Sequence, residues 1–467
     1  MPGDASRHPA SFRDPSGFLF RRDGVLLRQV DARYAQTFDL AKSSGLFDEL
    51  MSRGALVRHQ EIDPGLAESD DAHAVLRPEP LAFVSHPYEW CFGQLRAAAL
   101  HTIDLQRSAL AHGMTLKDAS AYNIQFIGHR PVLIDTLSFE KYREGEPWVA
   151  YRQFCQHFLA PLALATYCDV RLLDLLRTGM DGVPLDLAAK MLPWRSRLRP
   201  SLYAHLHLHA RLQGRHADAG REGNEVKAAK VSETGMLGVL ASLESAIEGF
   251  SLDLPKTEWG DYYSDTNYSD AAFEAKRAAV GAAIDALQPS LVFDLGANTG
   301  EFTRLAADRG AFAVAFDIDP VAVERGYRAA VDRSDERLLS LRLDLSNPSP
   351  QLGWAHEERE SLAARGPADL VLALALVHHL AIGNNVPLDR IAAFFSQLGR
   401  ALVIEFVPKS DSQVKRLLAT REDIFGDYAR ESFEAAFGLY FHIDEATPVE
   451  GSERTLYRMT ALSAVNE

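Results

Sequence analysis

Leu291-Val-Phe-Asp294-Leu-Gly296-Ala-Asn298-Thr299-Gly300 decides the fold. An apolar run closes on an acid, two glycines frame a turn, and Glu301-Phe-Thr-Arg-Leu-Ala-Ala reads as the helix that follows. Strand, tight turn and helix in that order hold a nucleotide-like ligand at the carboxyl edge of a parallel sheet. Gly296 lets the backbone turn sharply, and Gly300 removes a Cβ where ligand and helix start approach. The spacing separates the ligands. A dinucleotide fingerprint reads G-x-G-x-x-G and sets a pyrophosphate on the helix start. Counting from Gly296, Asn298 and Glu301 stand where its second and third glycines would be.

Further apolar runs follow at the spacing of a doubly wound sheet. Ala311–Phe316 ends in Asp317-Ile-Asp319-Pro320, roughly twenty residues past the glycines, where a carboxylate suits two ribose hydroxyls. Asp317 is the first choice and Asp319 the second; both could also be plain loop acids before a Pro-started helix. Leu339–Leu343 ends in Asp344, which otherwise reads as a turn acid ahead of Asn347-Pro348. Ala368–Val377 is long and apolar, as a strand buried on both faces is, and runs into His378-His379. A histidine there can take a proton near neutral pH; packing and helix capping are the competing uses. Ala401–Ile404 ends in Glu405, a second candidate for substrate contact. Phe437–Ile443 and Arg454–Met459 read as two closing strands.

This series resembles the class I S-adenosylmethionine-dependent methyltransferases. The resemblance implies an α/β fold: a doubly wound, Rossmann-like sheet closed by an antiparallel strand. It also implies S-adenosyl-L-methionine as cofactor. Asp294, Gly296, Asn298, Thr299 and Gly300 would face its methionine part, Asp317 and Asp319 its ribose, and Asp344 the adenine amino group. His378, His379 and Glu405 would face the methyl acceptor.

In the first half, Leu116-Lys-Asp118-Ala-Ser-Ala-Tyr-Asn123 leads into an apolar strand, a turn and a second strand ending in Asp135. This pattern resembles the catalytic and metal-binding loops of protein kinases and aminoglycoside-type phosphotransferases. The resemblance implies an α+β, kinase-like N-terminal domain, begun by the hairpin Phe18–Leu27. Asp118 would match the catalytic acid/base, and Asn123 and Asp135 the metal ligands for ATP and Mg. Departures are plain: Leu116 replaces a histidine, Thr136-Leu137 follow the last Asp, no glycine-rich loop precedes, and Lys42 lacks strand context. A degenerate module used for substrate recognition fits these departures.

A polar, charged stretch from Gly214 to Lys227 reads as a linker. The expected division is 1–213 for the N-terminal domain, 214–235 for the linker and 236–467 for the methyltransferase domain. Trp259–Tyr268, rich in aromatic and polar residues, is either a lid over a cofactor or a packed domain edge.

At 467 residues the chain exceeds the size at which one core stops growing, about 250–300 residues. A net charge of −15 disfavours a nucleic-acid surface, which needs a basic field. Cys91, Cys155 and Cys168 have spacings that suit neither a disulfide framework nor a zinc site. His205, His207 and His209 would share a face only on a strand, and the segment reads as helical. No metal is therefore expected outside the Asp118–Asn123–Asp135 group. No apolar run is long enough for a membrane span and no secretory signal is visible, so the expected compartment is the cytoplasm.

The layout is similar to that of bacterial methyltransferases related to the nodulation protein NoeA. The expected activity is methyl transfer to a small-molecule or glycan hydroxyl. Alternatives are a bifunctional kinase–methyltransferase, a non-catalytic S-adenosylmethionine-binding interaction protein, and an NAD-dependent dehydrogenase.

Overall fold

The structure is a computed structural model that describes residues 6–209, 230–254, 270–419 and 422–462. The linker-like Gly214–Lys227 and the lid candidate Trp259–Tyr268 lie outside the described residues. The chain forms two compact units. One is Met1–Asp253 with Gly353–Arg359, the other Leu254–Leu352 with Glu360–Glu467.

The second unit is built on seven strands: β1 (Leu291–Leu295), β2 (Phe312–Asp317), β3 (Leu338–Arg342), β4 (Ala368–Ala373), β5 (Gly399–Phe406), β6 (Phe441–Pro448) and β7 (Thr455–Ala461). Their order is β3-β2-β1-β4-β5-β7-β6. The first five strands are parallel, and β7 lies antiparallel between β5 and β6. Strand order reverses between β1 and β4. The carboxyl ends of those strands therefore flank a crevice, the position at which open α/β sheets bind ligands.

The central strands are buried on both faces, which explains their unbroken apolar runs. Helix α1 (Asp270–Leu287) and helix α2 (Glu301–Ala307) cover one face. There Val280, Ile284, Phe302 and Leu305 pack with Val292, Leu370, Leu372 and Val403. Helix α3 (Pro320–Asp332) starts at a proline, as expected, with Asp319 as its N-cap. Helices α4 (Leu388–Leu398), α5 (Ser412–Leu418) and α6 (Arg430–Phe437) complete the unit. The fourth strand ends at Ala373 rather than Val377. Ala375 is left-handed (φ 51°) and breaks the run, while Leu374 and Val377 stay buried and keep the composition apolar. Phe437 closes a helix, so the first closing strand begins only at Phe441.

The first unit is α+β. An antiparallel sheet runs Ser6–Arg7, Gly17–Arg22, Val25–Asp31, Ala72–Pro78, His59–Ile62, with the expected hairpin turned at Asp23-Gly24 in left-handed backbone. After the 20-residue helix Phe92–Ala111, Met114–Leu116 pairs with Phe139–Lys141, and Ile124–Ile127 with Arg130–Leu133. The division between units falls at 253/254, beyond the expected 214–235. The helix Glu233–Glu248 belongs to the first unit. Its Glu244 takes two hydrogen bonds from Arg107, at 2.5 and 2.6 Å, and Arg96 donates to the carbonyls of Ile247 and Glu248. Gly353–Arg359 also belongs there. Glu358 is buried and holds Arg13 through Nε at 3.1 Å and Nη2 at 2.6 Å.

Candidate cofactor and acceptor site

The turn after β1 is a left-handed cradle. Gly296 (φ 73°), Asn298 (φ 53°) and Gly300 (φ 82°) all lie in the region that costs a Cβ-bearing residue strain, and Asn tolerates it best among non-glycines. The turn is tied to β2 by Gly296 N and Ala297 N, which donate to the Phe316 carbonyl at 2.8 and 3.0 Å. Thr299 N donates to Asn298 Oδ1 at 2.8 Å. Helix α3 approaches from behind through Gly326. A Cβ there would come within 3.1 Å of Ser340 Oγ and 3.2 Å of the Thr299 carbonyl oxygen. That glycine performs the close-packing task of a fingerprint's third glycine from a different helix.

Two buried carboxylates stand at the crevice. Asp317, at the end of β2, accepts Asn298 N on Oδ2 at 2.7 Å and Asp319 N on Oδ1 at 2.9 Å. Both oxygens are thereby aimed, and the Ile318 backbone adds to their hold. Asp294, at the end of β1, accepts the Thr303 hydroxyl at 2.6 Å. Burial raises both carboxyls above their usual range, Asp294 to about 7 and Asp317 to about 6. For Asp294 the neighbouring Asp317 adds to the rise. Buried, oriented acids with perturbed affinity for protons in a cleft are candidates for a ligand site. The cradle, the aimed Asp317 carboxylate and the sheet reversal fit a ribose-bearing cofactor of the expected kind.

The other two candidate acids have local duties. Asp319 Oδ1 accepts Val321 N and Ala322 N and caps α3. Asp344 Oδ1 accepts Ser346 N and Oγ in a short turn after β3, at 2.8 and 2.6 Å.

His378 and His379 follow the left-handed Ala375 at the end of β4, with ring centroids 4.1 Å apart. His378 is 1% exposed, and its Nδ1 has no hydrogen-bond partner among the described residues. Such an atom costs about 1–3 kcal/mol unless something meets it. Burial holds both imidazoles below the usual histidine range, His379 at about 4.

Glu405 has a different surrounding from the one expected of an acceptor contact. It is 0% exposed, and it accepts Lys276 Nζ at 2.7 Å with Arg454 Nη1 at 3.7 Å. Its charge is already matched by two cations. Thr303, Gly326, Lys276 and Arg454 carried no sequence signal: each is a single residue of ordinary type inside a helix or beside a strand, and only the tertiary fold gives it a partner.

In the first unit, Asp118, Asn123 and Asp135 do converge. Asn123 Nδ2 donates to Ser138 Oγ at 3.3 Å, and Ser138 Oγ donates to Asp135 Oδ2 at 2.7 Å. Burial raises the Asp118 carboxyl, opposed by hydrogen bonds that include one with Asn123. Arg28, from the strand Val25–Asp31, forms an ion pair with Asp135. For Asp135 burial works upward, but the charge of Arg28 and the bond from Ser138 outweigh it and hold this carboxyl below its usual range. Among the described residues no group of three or more His, Cys, Asp or Glu side chains could hold a metal ion. None of their helices is long and apolar enough to cross a membrane.

A β3-β2-β1-β4-β5-β7-β6 sheet, with a left-handed turn after β1 and an aimed acid at the end of β2, defines the second unit as a Rossmann-like fold of the class I methyltransferase type. The chain belongs to the NoeA family. It is 37% identical over 456 residues to nodulation protein NoeA of Rhizobium meliloti (strain 1021), covering 97% of this chain and 95% of that protein. No protein-family model matches the chain. Among solved structures it is similar to magnesium protoporphyrin IX methyltransferase (ChlM) from Synechocystis PCC 6803 with bound SAH, at 19% identity and a TM-score of 0.31, over 43% of this chain and 91% of that one. It is also similar to the N-methyltransferase NodS from Bradyrhizobium japonicum WM9, at 11% identity and a TM-score of 0.30, over 41% and 98%. A third is WbdD, at 17% identity and a TM-score of 0.29, over 41% and 40%.

Proposed function

We propose that the second unit is an S-adenosylmethionine-dependent methyltransferase acting on a hydroxyl of a glycan or small molecule, with the first unit recognising that acceptor. The observation that carries this reading is Asp317. Two backbone N–H groups, one of them from Asn298 of the left-handed turn, fix its carboxylate at the carboxyl end of β2, next to β1. Asp317 would hold the ribose and the Asp294–Gly300 turn the methionine part, with Asp344 on the adenine side. Bound there, the cofactor supplies an electrophilic methyl group on a sulfonium. The chain's own contribution is alignment, worth roughly 7–11 kcal/mol when reacting groups are well held. His378 and His379, uncharged at neutral pH, would accept a hydrogen bond from the acceptor and orient it. We infer a reducing, cytoplasmic setting from the free thiols of Cys91, Cys155 and Cys168.

Calorimetry with S-adenosylhomocysteine tests the reading. The full chain is expected to bind it, and Asp317→Asn to lose at least tenfold in affinity. Binding of NAD in its place would favour a dehydrogenase, and no binding of either would leave a non-catalytic protein.

One observation bears on the phosphotransfer alternative. Arg28 gives Asp135 a permanent guanidinium partner where a divalent cation would be needed for ATP chemistry. This supports recognition over phosphotransfer in the first unit. Magnesium-dependent ATP hydrolysis that disappears in Asp135→Ala would reverse that preference.

A further inference from the structure

The sequence from Leu187 to Ala217 holds Lys190, Arg195, Arg197, Arg199, Arg211 and Arg215 and neither Asp nor Glu, in a chain whose net charge is −15. Its described part includes the end of the short helix Leu185–Met191 and the 3-10 turn Trp194–Leu198, and both pack against the π-helix Tyr203–Leu208. One residue pins the turn. Ser196 is 0% exposed; its Oγ donates to the Pro193 carbonyl at 2.7 Å and accepts His207 Nε2 at 2.9 Å. With Ser196 held inward, the rest of the turn faces out: Trp194 is 72% exposed and Leu198 69%, and Arg195 and Arg197 are exposed beside them. Leu187 and Met191, one turn apart on the preceding helix, are exposed as well.

Single exposed apolar side chains are ordinary, but several in one stretch, interleaved with cations, mark a contact surface. The arginines keep their charge. Arg195 Nη2 donates to the Tyr167 carbonyl at 2.9 Å and Arg199 Nη1 to the Gly249 carbonyl at 3.1 Å, so neutral oxygens hold both guanidinium groups without matching them. Arg197 has no hydrogen-bond or ion-pair partner among the described residues. Lys190 is matched by Asp186 at 3.2 Å and adds little. Cations by themselves suit any polyanion, and what stands between them decides the occupant. An indole ring and leucine side chains gain little against a phosphodiester backbone or a purely acidic peptide. At a lipid surface they enter the boundary below the headgroups while the arginines stay at the phosphates. The acidity of the rest of the chain does not prevent this, because at physiological ionic strength charges beyond about 8 Å are largely screened and the patch itself makes the contact.

We propose that the turn Trp194–Leu198, with Arg199 beside it, is a docking surface for an anionic phospholipid membrane. Trp194 and Leu198 enter the interface, Arg195, Arg197 and Arg199 pair with lipid phosphates, and the Ser196–His207 bond keeps the turn presented. The attachment is peripheral and reversible, and needs no membrane-crossing helix. It is independent of what the second unit catalyses.

The test is co-sedimentation of the full chain with vesicles of phosphatidylcholine alone and of phosphatidylcholine mixed equally with phosphatidylglycerol, at about 0.1 M salt. The wild type is expected to sediment with the mixed vesicles and not with the neutral ones, and to be released as salt rises. Trp194→Ala/Leu198→Ala is expected to weaken binding by about tenfold or more. Arg197→Gln is expected to weaken it by about fivefold, the effect of one basic residue near an anionic surface. All three side chains are exposed, so circular dichroism is expected to be unchanged in both variants. Trp194→Phe is expected to keep most of the binding and to remove a vesicle-induced blue shift of tryptophan fluorescence. A wild type that stays in the supernatant overturns the proposal. So does sedimentation that the double variant leaves unchanged. A preference for polyglutamate or duplex DNA over the mixed vesicles in competition also overturns it, and would make the turn a docking site for an acidic protein or a nucleic acid.

Discussion

Asp294→Asn is expected to make the ligand-free second unit more stable at pH 8 and to leave it unchanged at pH 4. In the wild type the Asp294 carboxyl is buried and its proton affinity is raised from 3.8 to about 7. The unfolded chain gives up that proton near 3.8, so between pH 4 and 7 the folded state holds more protons than the unfolded one. Stability from this group is therefore complete at low pH and is lost as pH rises through the folded-state value. Three units at about 1.4 kcal/mol each give roughly 4 kcal/mol lost by pH 8. The amide cannot ionise and can still accept the Thr303 hydroxyl, so it escapes most of that loss. Part of the gain is shared with Asp317, because removing one charge relieves the other, and a measured gain of about 2–4 kcal/mol is reasonable. The assay is urea unfolding followed by hydrogen exchange of peptides covering β1 and β2, which reports on this unit alone. An equal change at both pH values, or a loss at pH 8, would refute the reasoning. The wild type then bears a charge that weakens its own fold, as is expected where a site is kept for a ligand.

Three further outcomes follow from the same geometry. Lys276→Met removes the closer cation from the buried Glu405 and should cost about 3–5 kcal/mol in chemical denaturation; Lys276→Met/Glu405→Leu should recover much of it, and a double variant as weak as the single one would argue against the pairing. Gly326→Val places side-chain atoms against Ser340 Oγ and the Thr299 carbonyl. It should lower S-adenosylhomocysteine affinity along with thermal stability, and unchanged affinity would mean the turn tolerates displacement. Arg28→Ala should destabilise the first unit by about 3 kcal/mol at neutral pH, because Asp135 loses the charge that holds its carboxyl low; that loss should fade in acid as Asp135 is protonated, and a loss independent of pH would point to packing instead.

The sheet was legible because parallel strands buried on both faces must be apolar throughout, and each such run ended in a polar residue. The cradle was legible because Gly296, Asn298 and Gly300 occupy backbone conformations few residues adopt. Asp317 could be placed by its distance from that turn, and the structure adds how it is aimed. Glu405 shows the limit. A carboxylate at a strand end reads the same whether it faces a ligand or two buried cations, and the cations lie 129 residues before it and 49 after it. The domain boundary was hidden for a similar reason. The helix Glu233–Glu248 has an apolar face that suits either core, and it is tertiary partners, Arg107 on Glu244 and Arg96 on the helix's last carbonyls, that assign it to the first.

Arg13 and Glu358 form an ion pair inside the first unit although 345 residues separate them. During synthesis the ribosome has made β1, β2 and β3 before the buried carboxylate that pairs with Arg13 emerges. The first unit therefore gains its last seven residues only after its main segment and three strands of the second unit have been translated. Domain-by-domain folding from the N-terminus, the usual order, is interrupted here. A chain arrested near residue 253 would lack Gly353–Arg359 and leave Arg13 without its carboxylate, although its own segment of the first unit is complete.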